Sequence, residues 1–175
     1  ASAGAPRPGP RSPRPFPRLR EPPINEVVCG FVFEPALQMD GMDFGVYWNE
    51  RRNDYPRKEL HPAVIEGGLG AWVHAGVGPM RGWLVSKSGS LLLQVQHDRF
   101  YMNWRSIDAA YPHFSDRGDG GGLKKLALQE FDLFRSFCGR HVGGAFPRVV
   151  RVELSKIDIL QRGRHWSDLH DLGSL

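Results

Sequence analysis

Three short segments in the middle of the chain hold the side chains best suited to binding chemistry. Trp83, Gln94 and Tyr101 fall on one face of successive segments, and Arg81, Gln96, Arg99, Asn103 and Arg105 share it. Aromatic rings flanked by arginines on an open sheet can stack unpaired bases while the cations meet phosphates, as in single-strand nucleic-acid binders. The same face also carries Val85 and Leu92, which favours a plainer reading. In that reading the face packs on a partner, a sister chain or another part of the chain, with Gln and Asn bonding across it.

Glu130 is the second candidate. At 100° per residue, Leu123, Leu126, Ala127, Phe131, Leu133, Phe134, Phe137 and Cys138 fall within an arc of about 160°, the mark of a core-facing helix. Glu130 lies in the middle of that arc. A buried carboxylate must be paired or hold a proton, and Arg105, Arg151 or the Tyr111 hydroxyl could meet it. As a general acid or base it is the chain's one catalytic candidate; a structural ion pair is the favoured reading.

Other chemistry finds little support. None of the seven histidines has HxH or HExxH spacing, and His165, Asp168, His170 and Asp171 read as a solvated cluster. Cys29 and Cys138 lie in apolar surroundings and read as buried thiols, far short of a zinc motif. Gly67-Gly68-Leu69-Gly70 lacks the GK[ST] ending of a phosphate-binding loop. No metal or cofactor is expected, and the balance leans away from an enzyme.

The elements that must position these residues are legible to different degrees. Ile24 to Glu34 predicts a central strand, with Val27, Cys29, Phe31 and Phe33 on one face and Val28 and Val32 on the other. Asp40 to Asn53 predicts a helix, weakened by Gly41 and Gly45. Ser88-Gly89 and His97-Asp98 predict tight turns joining Trp83–Lys87, Ser90–Gln96 and Arg99–Arg105. With two-residue turns, Val95 faces Phe100, Leu93 faces Met102 and Leu91 faces Trp104, while Leu84 faces Leu93. The same register lines up Trp83, Gln94 and Tyr101, and a slip by one residue would destroy both faces. A helix from Leu123 to Cys138 follows. Arg148 to Leu160 then predicts a last strand with Val150, Val152 and Leu154 inward and a bulge near Ser155-Lys156. Ser167 could cap a short terminal helix bearing Trp166, Leu169 and Leu172. The order β-α-β-β-β-α-β predicts an α+β fold, a mostly antiparallel sheet with helices on one face. The segment 61–80, with five glycines, has no assigned element.

Several runs together resemble a family. Pro22-Pro23-Ile24 with Glu26-Val27-Val28, then Leu93-Gln94, Gln96, Asp98-Arg99-Phe100 and Asn103-Trp104-Arg105, then Tyr111-Pro112 and Phe114, resemble a sporadically distributed, uncharacterised bacterial protein family. The resemblance runs over about residues 22 to 172. It implies a bacterial source and supplies no activity. The chain departs from the family at Ser155-Lys156-Ile157-Asp158, where members carry a Tyr-Ile-Asn-like run. It also stops where members continue into a second half, as a truncated or divergent copy would.

Composition sets the outer bounds. The 175 residues carry 23 Lys and Arg against 19 Asp and Glu, a net charge of +4. Residues 1–23 hold eight of the fourteen prolines, and five arginines against one glutamate, which accounts for the whole excess. Such a segment predicts a disordered leader, with residues 24–175 forming one domain. With 41% apolar residues the chain can bury one core. No apolar run is long enough to span a bilayer, no secretory leader is evident, and thiols without a disulfide framework suit a cytoplasmic protein. The function expected is a non-catalytic binding or assembly module with a protein partner or self-association and no membrane. The alternative is single-stranded nucleic-acid binding through the aromatic and arginine face and the basic leader.

Overall fold

The computed structural model describes residues 23–64, 80–107, 111–115, 122–164 and 166–170. The leader, the Gly67–Gly70 run, His165, Asp171 and Leu172 lie outside these. The elements are β1 (Ile24–Glu34), α1 (Gly41–Arg51), β2 (Arg57–Pro62), β3 (Met80–Val85), β4 (Leu91–Gln96), β5 (Arg99–Arg105), α2 (Leu123–His141) and β6 (Arg148–Asp158). The six strands form one antiparallel open sheet in the order β2-β3-β4-β5-β1-β6. Both helices pack on the same face, so the fold is α+β as expected, with β2 added at one edge.

The meander follows the expected register. Leu84 faces Leu93, and Leu91, Leu93 and Val95 face Trp104, Met102 and Phe100. The connection after β3 is wider than a two-residue turn: Ser86 pairs with Leu91, and Gly89 takes a positive φ to donate back to the Ser86 carbonyl. β1 is flanked by β5 and β6, so it is an interior strand of the sheet.

α1 begins with a capping box: Asp40 accepts from the amides of Met42 and Asp43, and Asp43 accepts from the Asp40 amide. Its Phe44 ring lies on β3 at Gly82, where a Cβ would collide with it. α2 lays its rings on the sheet centre. Phe131 stacks on Phe31 with centroids 4.1 Å apart, and Phe134 stacks on Phe100 at 5.2 Å. Phe134 and Phe137 also meet Tyr47 of α1, so the two helices and the sheet share one core. Cys29 and Cys138 are buried free thiols, and burial pushes the Cys138 thiol up to about 12.

Some details differ from expectation. Leu133 is exposed because it sits at the rim of the arc, on the open depression beside Arg51 and Glu130. Val152 and Leu154 do share the face of Phe31 and Cys29, yet they are 68% and 51% exposed because neither α1 nor α2 covers the sheet this far out. The register of β6 runs unbroken from Arg151 to Ile157. Its irregularities fall nearer the strand ends, at Val150 and opposite Asn25. Of the expected terminal helix, the described residues show a 3-10 turn at Leu169–His170 with Asp168 accepting from the His170 amide, and Leu172 lies outside them. Among the described residues no helix is long and apolar enough to cross a membrane.

Candidate functional site

The sheet face opposite the helices brings all eight candidate residues together. One row runs Glu59, Trp83, Gln94, Tyr101, Gly30, Glu153 across six strands. The next carries Gln96, Arg99, Val32 and Arg151. Sequence had placed Trp83, Gln94 and Tyr101 in one row, and they are there.

The polar groups of this face are largely engaged with one another. Arg81 Nη1 donates to Gln94 Oε1 at 3.1 Å, Gln94 Nε2 to Asn103 Oδ1 at 2.9 Å, and Asn103 Nδ2 to Glu26 Oε1 at 2.5 Å. This chain of bonds crosses four strands, β3 to β1. Gln96 donates to the Val64 carbonyl at 3.0 Å and accepts from its amide at 2.8 Å, pinning the segment after β2 over the face. Arg99 is 4% exposed and holds Asp98 through Nε at 3.0 Å and Nη2 at 2.7 Å. Burial pushes the Asp98 carboxyl up. The hydrogen bonds and charge of Arg99 outweigh that effect, with smaller help from His97 and Gln96, and hold it below its ordinary value. Arg105 Nη2 reaches the Gly89 carbonyl at 2.8 Å.

The two aromatic rings are also engaged. Tyr101 lies flat over Gly30, where a Cβ would strike its ring, and its hydroxyl donates to Glu153 Oε2 at 2.9 Å. Burial, then Glu153, raise its pKa. Trp83 is flanked by His61, with ring centroids 4.0 Å apart, and by the Arg81 guanidinium at 5.3 Å. Three buried donors on this face, Arg81 Nε, Trp83 Nε1 and Arg105 Nε, have no hydrogen-bond partner among the described residues. Burial, then Arg99, lower the pKa of Arg81.

Glu130 is buried as expected, but its partners are not Arg105, Arg151 or Tyr111. Arg51 Nη2 lies 2.8 Å from both carboxylate oxygens, and the Tyr55 hydroxyl donates to Oε1 at 3.0 Å. These residues come from the end of α1 and the turn after it. Sequence arithmetic on α2 alone could not see them, although Arg51 four residues before Tyr55 was the available signal. Burial lifts the Glu130 carboxyl above its ordinary value, against the pull of Arg51 and the Tyr55 hydrogen bond. Burial, then Glu130, also raises the Tyr55 hydroxyl, leaving it a donor throughout the working pH range. The depression beside Glu130 is broad and open, lined by Leu126, Gln129, Leu133 and Ser136 and by two further carboxylates, Asp54 and Asp132; Asp54 stands 3.6 Å from the same Arg51 guanidinium, and its charge adds to the rise in the Glu130 pKa. The cluster ties α1 to α2.

A second cavity of about 280 Å³ opens between α1 and the β2–β4 end of the sheet, beside Asp40, Phe44, Gln96 and His97. Asp40 already caps the helix there. Among the described residues no group of three or more His, Cys, Asp or Glu side chains stands close enough to hold a metal ion. No family model, curated protein or solved structure matches the chain.

Proposed function

We propose that the protein is a non-catalytic association module and that its contact surface is the β6 side of the sheet. One observation carries this reading: the two sheet edges are built differently. β2 is six residues long and reads Arg-Lys-Glu-Leu-His-Pro, a short, charged, proline-ended strand of the kind that resists edge pairing. β6 is eleven residues long, and among the described residues no strand pairs with its outer edge. Val152, Leu154 and Ile157 are exposed along it. An unpaired strand presenting backbone groups and apolar side chains together suits strand addition.

The nucleic-acid alternative has less support. Gln94, Gln96, Arg99 and Asn103 bond within the face, and Tyr101 lies against Gly30 instead of standing out to stack. The test is a photo-crosslinking residue at position 152 of the full chain in living cells, with position 60 on the opposite edge as control. A discrete adduct at 152 and none at 60 is expected. No adduct at 152, or the same adducts at both positions, would refute the association reading.

A further inference from the structure

We infer that the occupant of the β6 edge is a second copy of this chain, paired antiparallel about Val152; this rests on the association reading above. A two-fold axis relating adjacent antiparallel copies of one strand stands perpendicular to the sheet. It therefore centres on a residue that faces its own copy, and every pair lies on one face. That leaves few registers to compare along Arg148–Asp158, and the side chains choose among them.

Centring on Arg151 sets two arginines opposite each other, and centring on Glu153 sets two carboxylates opposite each other; like charges directly opposed destabilise a pair. Centring on Leu154 places Val152 against Lys156, and centring on Ser155 places Leu154 against Lys156. Two centres match near the axis, Val152 and Ile157, but Ile157 stands one residue from the end of β6, so that register leaves only three pairs within the strand. With the axis on Val152, Val152 meets Val152 and Arg151 faces Glu153 twice, and the irregularity at Val150 falls just beyond these three pairs. Arg151 and Glu153 lie on the face opposite the helices. They already form an ion pair within the chain, Nε to Oε1 at 2.6 Å. Two copies would thus bring four charges of alternating sign around the axis, while Val152 and Leu154 lose their exposure on the helix side. The strand is self-complementary in charge and in apolarity about Val152, near its middle.

The same logic supplies the test. Arg151→Glu leaves two acids at positions 151 and 153, and Glu153→Arg leaves two arginines. Each variant repels its own copy, and each complements the other at both pairs. In light scattering of the full chain through the micromolar range, the wild type is expected to have the mass of two chains. Each single variant should weaken self-association roughly tenfold or more, and an equimolar mixture should restore the dimer. Both positions are on the surface, and matching circular dichroism with unfolding midpoints would establish that the variants fold. Val152→Cys gives a second readout: oxidation should link two chains, while Leu60→Cys should not.

A monomeric wild type, or single variants that dimerise as well as the wild type, would overturn the inference. If the wild type is monomeric while position 152 photo-crosslinks to a different protein, the second copy is wrong and the association reading stands. If position 152 gives no adduct either, both fall.

Discussion

At the scale of single residues, the most demanding arrangement is the buried pair of Arg51 and Glu130. Their side chains are 14% and 8% exposed, so neither charge is well solvated and each depends on the other. Removing one partner of such a pair leaves a stranded charge, which typically costs several kcal/mol, whereas replacing both with apolar groups can be neutral. Glu130→Gln is therefore expected to lose about 3 kcal/mol in urea unfolding, and Arg51→Met with Glu130→Leu to recover most of it. Equal losses in the single and double variants would show that packing, not charge, holds the helices. Asp98 makes a pH prediction. Its folded pKa lies below the unfolded value, so its pairing with Arg99 stabilises the fold above the unfolded range and is lost as pH falls through the folded value. Unfolding curves of wild type and Asp98→Asn should differ at neutral pH and converge as pH drops below about 4. A constant gap would remove the ion pair from the account.

Elements differ in how plainly the sequence announces them. The β3–β5 register was readable because Leu84, Leu93, Met102, Val95 and Phe100 alternate with polar residues and only one alignment keeps them together. β2 was not readable. Its Arg-Lys-Glu-Leu-His-Pro run has no apolar alternation, and it is a strand because Arg57–Pro62 completes the backbone ladder of β3, a tertiary cause. The partners of Glu130 were hidden for a similar reason, since they depend on how α1 crosses α2. Val152 and Leu154 had the right face but the wrong burial, because periodicity gives direction and cannot say whether a helix reaches that far. Glycines separate by the same distinction. Gly82→Ala should drive a methyl into Phe44 and lift α1 from β3, at a cost of about 1–3 kcal/mol. Gly45→Ala, with nothing near its Cβ position, should stabilise α1 by up to about 1 kcal/mol. Both are read from chemical unfolding, and destabilisation by Gly45→Ala would show an unseen neighbour.

For the whole molecule, the question is which surface meets the outside. The face opposite the helices spends most of its polar groups on itself, from Arg81 through Gln94 and Asn103 to Glu26. Trp83→Ala with Tyr101→Ala is thus expected to leave oligonucleotide binding by the full chain unchanged in fluorescence anisotropy. Loss of binding in that variant would return the face to the nucleic-acid reading, and a steep fall of affinity with salt would accompany it.

The position of β1 has a consequence in time. β1, the first of the described strands, is held between β5 and β6, with Ile24 opposite Asp158 and Phe33 opposite Val149. During synthesis, β1 therefore waits for nearly all of the described chain to emerge before both its edges are covered. Contacts between such distant parts of a chain form slowly, and an apolar strand left waiting is exposed to wrong partners. The nascent chain would be most vulnerable just before β6 leaves the ribosome, and a pause there would lengthen that exposure.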